Sequence, residues 1–383
     1  MITFQQPRFL PAASPHSSWG LLALLVVLCA GSSTSLAAEN PHWEKHADKP
    51  VEIVQKRDGS SQTLEFVDFE DGKVMASIGE DEGEISMSVS ESMAGRLELD
   101  LGIMSEVEDL IEDEEYGEAL SMLRPKVYPL IKFIKLPEGF KDLHETIQEL
   151  LKTLIRADEK DEALDLIERI PLEEIDPEYS AIAIVLVNKL LEDGDSEKAA
   201  GLAGDIPVTG KYRRNIQSIL DAAHKLRGEE QFDKVIPLYR VIEEASPDSM
   251  KPFVRMWLAY SLILDERSDE AQSIFESIEP PDPNQRYFSL YKLLQGTFYY
   301  KKEQYRDALD NMTRGFVRAH TASAWVPEML YFIGDCYRQL NNRNAAKNVW
   351  KEATVLYPDS PWAEKAETEL ADVADTADNT ENN

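Results

Sequence analysis

Cysteine is scarce in this sequence: its 383 residues include two, Cys29 and Cys336. Cys29 falls inside an N-terminal apolar run, so removal of that run would leave Cys336 alone and exclude an intramolecular disulfide. Leu28 stands directly before Cys29, where bacterial lipoproteins need a small residue, and lipid attachment is therefore disfavoured. We interpret Cys336 as a small buried apolar residue.

Basic residues are also few. The chain has 40 Lys and Arg against 71 Asp and Glu, which gives a formal net charge of -31. A charge of this sign and size repels phosphate backbones and anionic lipid surfaces. Nucleic acid is therefore not expected as a partner.

Long hydrophobic runs are missing apart from one at the N-terminus, between Trp19 and Ala30, which small residues follow as far as Ala37 and Ala38. As a helix this run would span about 18 Å, well short of a hydrocarbon core of about 30 Å. The pattern predicts a signal peptide over residues 1–38, cleaved after Ala37 or Ala38, and a periplasmic or otherwise exported protein with no direct membrane insertion afterwards. A retained anchor is the alternative.

Motifs for catalysis and metal binding are absent too. Residues 204–211 do not have the spacing of a phosphate-binding loop, and Gln148 stands where a zinc protease motif beginning at His144 needs its second histidine. His42 and His46 lie four residues apart without a third ligand nearby. We therefore expect no catalytic residue, no cofactor, no metal and no enzymatic activity.

The first patterned region covers residues 51–102, after a polar lead-in at 39–50. Apolar residues alternate with polar ones in four short segments, and Asp-Gly pairs at 58–59 and 71–72 suit hairpin turns. This predicts a meander that curls into a small barrel, a β module similar in spacing to SH3-like or Sm-like modules of bacterial envelope proteins. Peptide binding and capping of the following helices are both open as its role.

From residue 103 to 370 the apolar pattern becomes helical and repeats. A small residue that opens the second helix of each predicted pair recurs at spacings of 44, 36, 36, 36, 37 and 38 residues. These marker residues are Ala119, Ala163, Ala199, Val235, Ala271, Ala308 and Ala346. A constant period of this length predicts an α-solenoid of about seven helix pairs plus a capping helix, and residues 371–383 are predicted to be a disordered acidic tail.

The last repeat carries the most specific motif, with Gly334, Tyr337, Ala346, Trp350 and Ala353 followed by the run Tyr357 to Pro361. These residues resemble the tetratricopeptide repeat (TPR), and in particular the terminal repeats of bacterial periplasmic TPR proteins of the Tol/TonB-associated and outer-membrane assembly type. The resemblance implies a mainly α protein: a right-handed TPR-like solenoid preceded by the small β module.

The same resemblance implies a non-catalytic scaffold of the cell envelope that binds a protein partner in a groove lined by the first helix of each pair. Its groove-facing candidates are Phe253, Met256, Trp257, Tyr260, Thr297, Tyr300, Tyr331, Asp335 and Arg338. An alternative for these aromatic residues is packing between repeats. Alternatives for the whole chain are a carbohydrate- or peptidoglycan-acting enzyme with paired carboxylates, and a self-assembling structural subunit.

Overall fold

The fold is known from a computed structural model that describes residues 40–77 and 83–381. The predicted signal peptide lies outside these residues. Within them, no helix combines the length and the apolar character needed to cross a membrane.

The protein is mostly helical, with a small antiparallel sheet near its N-terminus. The strands are β1 (Val51–Arg57), β2 (Ser60–Glu70), β3 (Lys73–Ser77), β4 (Glu84–Met87) and β5 (Leu97–Glu98). The helices are α1 (Pro41–His46), α2 (Glu91–Ala94), α3 (Met104–Glu112), α4 (Tyr116–Val127), α5 (Lys141–Arg156), α6 (Lys160–Glu168), α7 (Pro177–Glu192), α8 (Ser196–Asp205), α9 (Asn215–Gly228), α10 (Phe232–Ala245), α11 (Lys251–Leu264), α12 (Ser268–Glu276), α13 (Phe288–Lys301), α14 (Tyr305–Phe316), α15 (Val326–Gln339), α16 (Arg343–Leu356) and α17 (Pro361–Glu381).

The sheet has the strand order β4-β3-β2-β1-β5, and its first four strands form the predicted meander. The predicted closure into a barrel is wrong for the described strands, because β4 and β5 lie at opposite edges and do not pair. Gly59 and Gly72 have φ of 84° and 73°, which the predicted Asp-Gly turns require. Phe66 is fully buried, and its ring centroid lies 5.5 Å from that of Phe133 in the 3₁₀ segment after α4. The sheet therefore shares one core with the first helices. The two-residue strand β5, which pairs with β1, was not predicted.

Each helix pair is joined by the same turn. The residue after the first helix's last turn takes a left-handed conformation, with φ between 57° and 78°. These residues are Glu114, Asp158, Gly194, Glu230, Glu266, Glu303 and Asn341. The next N–H then donates to a carbonyl five residues back, at 2.8–3.0 Å, as in Schellman caps. The shared turn therefore starts every second helix in the same register relative to the first helix of its pair.

The predicted marker residues occupy one equivalent place. Each of the seven is the fourth residue of its helix, from Ala119 in α4 to Ala346 in α16, and each has 0% exposure. Glycine takes the facing position in the last two pairs, where a Cβ on Gly296 would overlap Met312 and one on Gly334 would overlap Trp350. Small residues thus let two helices approach closely, as a TPR-like repeat requires.

Two segments differ from their predictions. The polar lead-in contains the helix α1, whose start is capped by the Asn40 side chain, and Asn40 also donates to Asp165 at 2.8 Å and to Tyr128 at 3.1 Å. At the other end, α17 continues to Glu381, past residue 370. Its sequence after Pro361 contains no further proline or glycine, so nothing in it terminates the helix.

The shared turn can be tested with two glycines of one helix pair. Gly194 has φ of 78°, whereas Gly201 is exposed in the middle of α8 with no atom near its would-be Cβ. We expect Gly194→Ala to lower the free energy of unfolding by about 1 kcal/mol or more, because alanine is strained at positive φ. Gly201→Ala, the control, should raise it by about 0.5–1 kcal/mol. Denaturant unfolding measures both, and equal effects would contradict the turn assignment.

Candidate partner-binding surfaces

The nine predicted groove residues lie close together in the C-terminal half, but most are covered by other parts of the chain. Five are buried: Met256, Trp257, Tyr260, Thr297 and Asp335. The other four are half-buried: Phe253, Tyr300, Tyr331 and Arg338. That these nine residues contact a ligand stays a prediction. In this conformation, the four half-buried side chains are the ones among the nine that a ligand could touch directly.

A buried ion pair explains much of this coverage. Arg227 in α9 donates from Nη1 to Glu328 Oε2 in α15 at 2.5 Å, and Tyr260 in α11 donates its hydroxyl to the other oxygen of Glu328 at 2.5 Å. Glu328 has 0% exposure and Arg227 5%. Since α9 and α15 are separated by two intervening helix pairs, the array must curve enough to bring their inward faces together.

Aromatic rings surround the ion pair. The guanidinium of Arg227 lies 4.0 Å from the ring centroid of Trp257, which is itself 6.1 Å from the centroid of Trp325. Arg227, Trp257, Tyr260, Trp325 and Glu328 are called the closed cluster below. Arg227 Nε and Trp257 Nε1 have no hydrogen-bond partner there. The cluster therefore packs tightly at the expense of two unpaired donors.

Side chains in and beside the closed cluster have shifted pKa values. His224 lies beside it, with Nδ1 2.8 Å from the Tyr239 hydroxyl and its ring 5.2 Å from Trp257. Burial, with a smaller effect from the charge of Arg227, lowers the pKa of His224 to about 3. Burial and the nearby Glu328 carboxylate raise the pKa of Tyr260. Both side chains are thus neutral at pH 7.

Asp335 is the centre of a second covered region. It accepts hydrogen bonds from Tyr300 and from Arg338 Nε, the latter at 2.6 Å, and Arg338 also pairs with Glu369 of α17 at 3.1 Å. Trp362 of α17 packs over Tyr331, with ring centroids 5.3 Å apart.

Cys336, which follows Asp335 in α15, is buried, as predicted. Burial, with a smaller contribution from Asp335, raises the pKa of its thiol to about 12. The thiol is therefore protonated at neutral pH and a poor nucleophile.

An open surface lies in the N-terminal half, between the segment after β5, α3 and α5. A cleft of about 1120 Å³ separates these elements, and we call it the acidic cleft. Half-buried apolar residues line it, among them Leu99, Leu101, Ile103 and Ile111. Its carboxylates are Glu98, Asp100, Glu108, Glu112, Asp142, Glu145 and Glu149. Its cations are Lys152 and Arg156.

Two polar side chains of α5 are buried in the wall of the acidic cleft. Gln148 is 9% exposed and Thr146 is 6% exposed, and both line the cleft. Within residues 40–77 and 83–381, neither side chain has a hydrogen-bond partner. The polar atoms of both side chains are not fully enclosed, so they are accessible from the cleft. Gln148 therefore offers a donor and an acceptor toward the cleft.

An apolar patch adjoins the acidic cleft and shares Lys152 and Arg156 with it. Ile155 of α5 and Ala181, Ile182 and Val185 of α7 line a depression of about 250 Å³. Val185 is 55% exposed, an unusual exposure for a valine within a helix. These four apolar residues are called the valine patch below.

The helix positions that the repeat predicts to face the groove can also be identified in α7. Counting back from the markers Ala199 and Ala271, Val185 holds the position that Trp257 holds two repeats later. The prediction placed the surface in the C-terminal half because its aromatic residues are conspicuous. The overlooked signal was the uninterrupted apolar run from Ala181 to Val187, which is wider than one buried helix face needs.

Metal binding has no support in the described segments, where no three His, Cys, Asp or Glu side chains are grouped closely enough to hold an ion.

No protein-family model and no curated protein matches the sequence. Among solved structures, the chain is similar to the crystal structure of YrrB, described as a TPR protein with an unusual peptide-binding site. The two are 13% identical, the match covers 58% of this chain and 99% of that chain, and the TM-score is 0.27. A TM-score of this size carries no argument about shape or function. The TPR-like assignment rests on the turns and marker residues of this chain.

The closed cluster generates a stability prediction. Glu328→Gln should lower the free energy of unfolding by about 3 kcal/mol or more, because it leaves the buried Arg227 charge without its partner. Adding Arg227→Met should restore part of that loss. As a control, Glu270→Gln removes ion pairs with Arg240 and Arg267 that are partly exposed, and should cost less than about 1 kcal/mol. Denaturant unfolding of wild type and the three variants measures these losses, and equal losses for Glu328→Gln and Glu270→Gln would contradict a buried pair.

His224 generates a pH prediction. Its pKa is about 3 in the folded chain and near its ordinary 6.5 when unfolded, so the unfolded state binds the proton between these values. Stability contributed by neutral His224 is thus complete above pH 6.5 and is lost as the pH falls toward 3. From pH 7 to 5, wild type should lose up to about 2 kcal/mol more than His224→Gln. Parallel curves for wild type and His224→Gln would refute the assignment.

Proposed function

We propose that this protein is a non-catalytic scaffold that binds a partner polypeptide through the open half of its TPR-like groove, formed by α3, α5 and α7. The observation that carries the proposal is the contrast between the two halves. In the C-terminal half the chain's own side chains fill the groove around Glu328, whereas the acidic cleft and the valine patch are unfilled. An exposed apolar patch beside a cleft is typical of protein-binding surfaces.

The location of this scaffold is proposed from the sequence. The apolar run from Trp19 to Ala30 and the small residues after it favour export and cleavage, which would place the protein in the periplasm of a bacterial envelope. A right-handed solenoid of about seven helix pairs, of the type seen in Tol/TonB-associated and outer-membrane assembly proteins, is part of the same proposal. Its partner would then be a component of an envelope complex.

Carbohydrate hydrolysis is a second candidate because the cleft is rich in carboxylates. Glycosidases place one protonated, desolvated carboxyl opposite an ionised one. In the acidic cleft, Glu108, Glu112 and Glu145 are exposed, and an amide, Gln148, holds the buried position. This arrangement favours binding over hydrolysis. Release of reducing ends from peptidoglycan by wild type, and its loss in Glu145→Gln, would support the enzyme instead.

The scaffold proposal is tested by placing a photo-crosslinking amino acid at Val185 of the secreted full chain. Val355 in α16 serves as the control, because it is also an exposed helical valine, at 76%, but lies on a second helix. We expect Val185 to crosslink one defined polypeptide in cells and Val355 not to. A probe at Ala181 should lose that product when Val185→Asp is added. The same polypeptide captured at both valines would contradict the groove.

A further inference from the structure

We infer that the polypeptide bound in the open groove is a basic segment, with lysine or arginine side chains in the acidic cleft and a neighbouring apolar side chain in the valine patch. This inference rests on the proposed function and adds the chemistry of the partner. Three independent features of the described residues support it: unpaired charge, a largely buried glutamine whose unpaired amide faces the cleft, and an exposed apolar patch.

The charge of the acidic cleft is not neutralised by the chain itself. Of its seven carboxylates, two form ion pairs within the described part of the chain: Glu98 with Lys56, and Glu149 with Arg156. Glu108, Glu112 and Glu145 have no such partner on either side of the cleft. Carboxylates held on facing walls repel one another at neutral pH and attract cations. A basic side chain inserted between α3 and α5 relieves that repulsion.

The unpaired Gln148 favours a polypeptide, rather than a free cation, as the ligand of the acidic cleft. Its amide can donate to a carbonyl and accept from an N–H, so it can pair with the backbone of an extended segment. Its amide atoms are accessible from the cleft, so a bound backbone would take the place of water as their partner. A metal ion or a free amine would satisfy the carbonyl of the amide and leave its N–H₂ unpaired.

The valine patch sets the order of side chains along the segment. It adjoins the cleft at Lys152 and Arg156, which are the only cations of the lining and would repel a basic residue there. The basic part of the segment must therefore lie toward α3, near Glu108 and Glu112. The apolar residue lies toward α7, where it covers Val185.

The test uses the mature full chain and three labelled twelve-residue peptides in fluorescence anisotropy. The first has lysines in one half and leucines in the other, the second replaces its lysines with glutamates, and the third replaces its leucines with serines. We expect the lysine–leucine peptide to bind, more weakly as salt rises. The glutamate peptide should not bind, and the serine peptide should bind about tenfold more weakly.

Variants of the protein test whether the peptide binds in the acidic cleft. Glu108→Lys with Glu145→Lys should weaken binding of the lysine–leucine peptide by about tenfold or more. Glu352→Lys with Glu367→Lys, two exposed acids outside the cleft, changes the net charge equally and should leave the affinity within about twofold. Gln148→Leu, which keeps the volume but removes the amide, should weaken binding of every peptide that binds.

Equal weakening by both double variants, or binding of the glutamate peptide, would overturn the inference. If the glutamate or another non-basic peptide binds and Val185→Asp abolishes that binding, the scaffold proposal survives and the basic partner does not. If no peptide of a random twelve-residue library binds the wild-type protein, the groove proposal fails as well.

Discussion

The close approach of two helices across a left-handed turn is the constraint on which the repeat depends. At six of the seven turns that residue is not glycine but Glu, Asp or Asn, although a left-handed conformation is unfavourable for them. Each turn regains free energy through its backbone hydrogen bond and through the buried small residue that follows. The result is a pair whose register across the turn is the same from α3 to α16.

Curvature of the array decides which part of its inner surface is free. The ion pair between Arg227 and Glu328 joins α9 to α15, and Lys365 of α17 pairs with Glu230 at the end of α9 at 2.6 Å. These contacts close the surface between α9 and α17. Because helices α3, α5 and α7 precede the contacts, their equivalent faces stay open, and a single repeat architecture contains both a sealed and an accessible half.

The sequence predicted features that depend on neighbours along the chain. Turn glycines, strand alternation and the marker residues are local, and the structure has them where expected. The coverage of Tyr260 was not predictable in this way, because its partner Glu328 is 68 residues away and the two meet through curvature summed over several repeats. Strand β5 was missed because two residues give no alternation. The repeat period predicted which helix positions face the groove. The exposure of Val185 depends on the curvature of the array, which the period does not give.

The distribution of charge gives the two halves different physical roles. Buried carboxylates such as Glu328 and Asp335 are paired, so they fix the curvature and contribute little field outside the protein. Carboxylates of the acidic cleft are largely unpaired and project a negative field over low-dielectric walls, which concentrates cations and accelerates their association. Part of the chain's surplus of acidic residues is thus concentrated at the open groove. The charged groups of the closed half are occupied by its ion pairs, whereas those of the open groove remain available.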